Sequence, residues 1–138
     1  MSITQKYLDE LTFKIIGCAI EVHKELGPGL LESVFEKCFI KELALQNIAH
    51  KTQLWVPIEY KGLKLDADLR LDVLVEDLIL VELKAIEVLL PVHQAQVLTY
   101  IKLLKKPKGV LINFNCTNIF KEGQKTLVNE YYRALPKT

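Results

Sequence analysis

At 138 residues, half of them apolar and a quarter charged, the chain has globular composition and the length of a single compact domain. A net charge of +1 excludes a strongly polybasic binder on composition alone, and three scattered cysteines, Cys18, Cys38 and Cys116, without CxxC spacing exclude a zinc ribbon or a disulfide framework. The charge is nevertheless uneven: eight Lys or Arg against two Glu lie from Lys102 to Thr138, and eight acidic against four basic residues from Glu59 to Glu87.

The opening Met-Ser-Ile-Thr-Gln-Lys lacks the layout of a signal peptide, and no apolar run reaches about 18 residues, so a cytoplasmic location is expected, with the cysteines as reduced, buried fillers. Leu8, Leu11, Ile15, Ile16, Ala19, Ile20, Val22, His23 and Leu26 form the stripe of an amphipathic helix over about 4–26, stopped by Gly27-Pro28-Gly29. A second helix is expected over about 31–46, with Leu31, Val34, Phe35, Cys38, Phe39 and Leu43 inward. The two form a helical hairpin.

Alternation predicts a first strand over about 51–60, at a sheet edge because of Pro57, a turn at Tyr60-Lys61-Gly62-Leu63, and a second strand over about 64–75. In that second strand Leu65, Ala67, Leu69, Leu71, Val73 and Val75 share one face, and Asp66, Asp68, Arg70 and Asp72 the other. A third strand, about 79–84, sets Leu80, Glu82 and Lys84 opposite in facing to Ile79, Val81 and Leu83. Register decides what these strands bring together: a two-residue turn sends Glu82 to the face away from Asp72, whereas a three-residue turn, Glu76-Asp77-Leu78, or an equivalent bulge sets Asp72 opposite Glu82. The second arrangement is expected.

Pro91 opens a helix that runs to about Lys105, with His93, Gln96, Val97 and Tyr100 on its stripe, and Val110 to Phe114 is a buried strand. The segment over about 117–133 is read as a strand near Ile119 and then a helix. The order is ααβββαβ. A strand, crossover helix and strand pair in parallel, so the expected fold is a single α/β domain, residues 1–138, with a mixed central sheet of about four strands flanked by helices.

Carboxylates and a lysine inside strands of Leu, Val and Ile are costly to bury unless paired or holding a metal. Asp72, Glu82 and Lys84 read as D-x9-E-x-K, and hard oxygen ligands in that setting suit Mg²⁺ or Mn²⁺ rather than zinc or haem. Lys84, on the face of Glu82, would orient an attacking water or stabilise a pentavalent phosphate. The plainer readings are a solvated Asp72 and an exposed Glu82–Lys84 pair contributing under about 1 kcal/mol. His23 and His93 read as hydrogen-bonded boundary residues, and Trp55 and Tyr60 as core or edge packing rather than as stacking partners for bases.

Asp72, Glu82-Leu83-Lys84 and Gln96-Val97-Leu98-Thr99-Tyr100 together resemble the PD-(D/E)XK nuclease superfamily, in its RecB-like Q-x-x-x-Y branch. The stretch from Val22 to Phe35, with Gly29-Leu30-Leu31-Glu32-Ser33-Val34-Phe35, is similar to the signature of the small prokaryotic GxxExxY proteins of that superfamily. The resemblance implies a restriction-endonuclease-like core. It also implies Glu32, Asp72, Glu82 and the Leu83 carbonyl as metal ligands, Asp72, Glu82 and Lys84 as the catalytic set, and Gln96 and Tyr100 as substrate contacts. Phe35 stands where the signature has tyrosine, so that hydroxyl is dispensable or something is lost in this member. Glu32 also suits a helix N-terminus in its own right, and Gln96 and Tyr100 suit helix-to-sheet packing.

The expected activity is Mg²⁺- or Mn²⁺-dependent hydrolysis of phosphodiester bonds in nucleic acid, DNA before RNA, by a protein without a membrane partner and capable of forming a homodimer. A second reading keeps the fold as a catalytically weak or inactive module that binds nucleic acid or a protein. A third, hydrolysis of nucleotides or other phosphate esters, is weakened by the absence of a P-loop, since Gly27-Pro28-Gly29 lacks the following Lys-Ser/Thr.

Overall fold

The computed structural model describes residues 2–56, 58–65 and 70–138. In chain order the elements are α1 (Gln5–Leu26), α2 (Glu32–Leu45), β1 (His50–Trp55), β2 (Ile58–Tyr60), β3 (Leu63–Leu65), β4 (Arg70–Val75), β5 (Ile79–Lys84), α3 (Pro91–Leu103), β6 (Lys108–Asn113), α4 (Ile119–Glu122), β7 (Gln124–Val128) and α5 (Glu130–Arg133). The α/β architecture is the expected one, with a mixed sheet ordered β1-β4-β5-β6-β7. Its strand pairs are antiparallel except β5 and β6, which α3 joins in parallel.

Local chemistry sets the helix ends. The Thr4 side-chain oxygen accepts from the Tyr7 N–H at 3.0 Å and starts α1, and Gly27, at φ 68, ends it in a conformation that costs glycine little. Leu8, Leu11, Ile15, Ala19 and Val22 of α1 and Phe35, Phe39 and Leu43 of α2 pack on Val73, Val75, Ile79, Val81, Leu83, Val110 and Ile112 of the sheet. Val97 and Ile101 of α3 cover the other face at Leu71, Leu80 and Leu111. Both faces of the central strands are thus dry, which explains why β5 and β6 read as nearly continuous apolar runs. Leu31 and Val34, expected inward, are exposed, because α2 meets the core only from Phe35 onward.

Three further expectations are corrected. The described strand pair over 51–60 and 64–75 is not one ladder: Trp55 pairs with Arg70 but Ile58 with Leu65, a register shifted by two. β2 and β3 form a separate two-stranded hairpin. The expectations for Pro57, Asp66, Ala67, Asp68 and Leu69 fall outside the described residues. Near the C-terminus Ile119 begins the short α4 rather than a strand, because Asn118 caps it by accepting the Lys121 N–H at 2.9 Å; the strand is β7, which makes a fifth in the sheet. Trp55 and Tyr60 are mostly exposed rather than packed. Among the described residues no helix is long and apolar enough to cross a membrane.

Candidate active site

The β4–β5 hairpin turns through Glu76 (φ 50) and Asp77 (φ 59), with the Leu78 N–H donating to the Val75 carbonyl at 2.9 Å. Pairing begins at Val75 and Ile79, so Leu78 is an extra residue and the register equals that of a three-residue loop. With Leu74 on Leu80 and Val73 on Val81, Asp72 falls opposite Glu82. There side chains replace the ladder: the Asp72 N–H donates to Glu82 Oε1 at 3.3 Å, and the Leu83 N–H donates to Asp72 Oδ2 at 2.8 Å.

The alternation of β4 is interrupted at this point. Leu71 packs in the core under α3 and Val73 in the core under α1 and α2, although regular alternation would give them one face. Across the ladder the register sets Gln53 at the level of Asp72, and Gln53 has φ 53, a left-handed conformation uncommon for a side-chain-bearing residue in a strand. Its amide donates to Glu36 of α2. Backbone strain is therefore localised beside the carboxylates, where strained residues tend to cluster in working sites.

Burial and mutual repulsion set the electrostatics. Glu82 is only 7 % exposed, and burial followed by the charge of Asp72 pushes its carboxyl up to about 8, against partial relief from the Asp72 N–H and from Lys84. Burial also raises Asp72, opposed by the Leu83 N–H, by Lys84 and by its hydrogen bond with Glu82. Burial and mutual charge thus oppose ionisation of both carboxyls below about 8. The field of the pair reaches α3, where burial and then the charges of Glu82 and Asp72 raise the Tyr100 phenol. It reaches α2 as well: burial and the charge of Asp72 raise Glu32, with Lys84 opposing.

Asp72, Glu82, Lys84, Glu32 and Tyr100 are therefore brought to one end of the β4–β5 pair. Leu83 is buried within β5, with its N–H engaged by Asp72. Gln96 lies exposed one helical turn before Tyr100. Glu32 is the first residue of α2, whose N-cap Leu31 makes no side-chain cap, so its carboxylate also answers the helix dipole. Among the described residues no three His, Cys, Asp or Glu side chains converge as a ready-made metal cage. An ion would instead sit on the Asp72–Glu82 pair with a backbone oxygen and water, as Mg²⁺ commonly does, and it would take the place of the proton that burial and, after it, the Asp72 charge hold on Glu82. The donor set fits such an ion.

The sequence reading missed three residues. Glu36 stands one turn beyond Glu32, a spacing that could have revealed it; burial raises its carboxyl, the Gln53 hydrogen bond lowers it and the Asp72 charge raises it. Gln53 carried no signal. Asn113, paired with Lys84 across the parallel ladder, is buried and ties down the chain that follows Lys84: its Oδ1 accepts the Ile86 N–H at 3.0 Å and its Nδ2 donates to the Ile86 carbonyl at 2.9 Å. His23 and His93 each make the hydrogen bond expected of a boundary residue. His93 Nδ1 accepts the Leu90 N–H at the start of α3, and His23 Nε2 meets the Cys116 carbonyl at 2.8 Å. Phe35 is wholly buried and stacks on Phe114 with ring centroids 4.5 Å apart, so position 35 serves the core.

In comparison with known families, the model of the PD-(D/E)XK nuclease superfamily matches residues 9–127. No curated protein and no solved structure gives a significant match.

Proposed function

The chain belongs to the PD-(D/E)XK nuclease superfamily, and from that premise we propose that it hydrolyses phosphodiester bonds of DNA with a Mg²⁺ or Mn²⁺ ion that Asp72, Glu82, the Leu83 carbonyl and Glu32 would hold. Nucleases of this superfamily generally use divalent metals. The observation that carries the reading is the apposition of two buried carboxylates, locked by the Asp72 and Leu83 N–H groups, beside Lys84. Bound there, the ion supplies Lewis-acid polarisation and charge neutralisation at a phosphoryl oxygen.

The chain's own groups do the rest. Lys84 holds its ammonium near the scissile phosphate, where it orients the attacking water and offsets the charge that develops on the equatorial oxygens. The water oxygen bonds to phosphorus and gives up a proton to solvent, the ester P–O bond breaks, and the leaving oxygen takes a proton from solvent to become the alcohol. Tyr100 and Gln96, one turn apart on α3, contact the substrate from the facing side. Glu36, through Gln53, and Asn113, through Ile86, are positioning residues that fix the strand ends carrying Asp72 and Lys84. The buried, apolar setting of Phe35 supports the view that the tyrosine hydroxyl of the GxxExxY signature is dispensable here.

A plasmid-nicking assay in Mn²⁺ tests this. Wild type should nick, while Asp72→Asn and Lys84→Ala should lose at least about 100-fold in rate with unchanged circular dichroism. Equal nicking by all three proteins rejects the assignment.

A further inference from the structure

Two large aromatic residues at the edge of the molecule have no packing role to explain them. Trp55, 55 % exposed, ends β1 and pairs with Arg70, whose guanidinium lies 5.0 Å from its ring centroid. Tyr60, 59 % exposed, ends β2 and carries the Lys61 ammonium 5.3 Å from its ring. Leu63 and Leu65 of β3 are exposed as well, and Lys64 lies between them. Each exposed ring thus has a cation fixed against it, the combination that grips a nucleic-acid strand by base stacking and phosphate charge together. Arg70 precedes Asp72 by two residues on β4, at most about 7 Å along the strand, so the Trp55–Arg70 pair stands beside the carboxylate centre.

We propose that the Trp55–Arg70 and Tyr60–Lys61 pairs form a stacking platform for unpaired bases of a strand whose neighbouring phosphate lies at the Asp72–Glu82 centre. The proposal rests on the nuclease reading for the position of that phosphate. Duplex bases already stack on one another and offer no free face, so the platform selects single-stranded or frayed nucleic acid. A second copy of this chain is a poorer occupant, because a two-fold contact through this edge sets the cations of one copy near those of the other.

Trp55 is the sole tryptophan, so its emission reports this position alone. The wild-type chain in EDTA is titrated with end-labelled oligothymidylate, following label anisotropy for binding and tryptophan emission for stacking, and then with a hairpin duplex. Saturable quenching by the single strand, weaker with the duplex, is expected. Tyr60→Ala should raise the single-strand Kd by roughly 5- to 150-fold, the span for one lost stacking contact, and Arg70→Ala, which removes a cation, should raise it and flatten its salt dependence. Absent binding, binding that leaves the emission unchanged, or emission that moves with protein concentration alone as it would on self-association, each overturns the platform. Nicking lost in Asp72→Asn concerns the nuclease reading, whereas quenching needs no cleavage, so the two stand or fall separately.

Discussion

Glu82 holds its proton well into the neutral range, and that has a measurable consequence for stability. An unfolded glutamate ionises near 4.5, whereas folded Glu82 keeps its proton up to about 8, so the folded chain binds the extra proton between those values. The stabilisation this brings is fully present below the lower value and is lost as pH climbs toward the upper one. In EDTA, thermal midpoints should fall over that window, and Glu82→Gln, which carries no charge to bury, should lack the fall and match or exceed the wild-type midpoint at the alkaline end. A wild-type midpoint that climbs through the same window contradicts the burial of Glu82 as an acid. Such a gain in stability with loss of function is the common signature of a site kept for chemistry rather than for the fold.

The approach of α3 to the sheet depends on Gly109 in β6. A Cβ there would meet Val97 Cγ1 at 2.4 Å and Ile101 Cγ2 at 3.4 Å, and valine, branched at Cβ, has little rotamer freedom with which to yield. Gly109→Ala should cost about 1–3 kcal/mol in urea titration and, by moving the helix that carries Tyr100, should also lower nicking. A neutral effect on both would mean that α3 can slide without consequence.

At this scale the sequence was informative where period and turn length act locally. The apolar stripes set α1, α2 and α3, and the hairpin between Asp72 and Glu82 admitted two registers, of which the expected one is present, with Val73 paired to Val81. It was uninformative where tertiary contacts override local preference. Gln53 is forced to φ 53 although nothing in its type favours that, and Leu71 and Val73 part company between two cores. The apolar Ile119 suggested a strand, yet the Asn118 cap, a residue type well suited to starting helices, turned it into α4. The exposure of Trp55 was equally hidden, since an indole in an alternating segment ordinarily packs.

For the molecule as a whole, the C-terminal segment is fastened to α1 and β6 far from the carboxylates. The buried Lys108 donates to Asp9 Oδ1 at 2.7 Å, and Tyr132 donates to the same oxygen at 2.8 Å, with the Lys108 ammonium 5.3 Å from the Tyr132 ring. Burial alone would raise the Asp9 carboxyl, but those two hydrogen bonds and the lysine charge bring it below its ordinary value. Asp9→Ala leaves a buried ammonium without its anion and should cost about 1–3 kcal/mol by urea titration, while nicking at a permissive temperature stays near wild type. Loss of nicking in the folded variant would show that the two ends of the molecule are coupled.

The most direct measurement is calorimetric titration of Mn²⁺ into wild type, Asp72→Asn and Glu82→Gln near the alkaline end of the Glu82 window. Saturable binding is predicted for wild type, weakened at least about 10-fold in each variant, since removing one of two anionic ligands costs on the order of 1.4 kcal/mol or more. Absence of binding in the wild type, or equal affinity in all three folded proteins, would contradict a divalent cation bridging these two carboxylates.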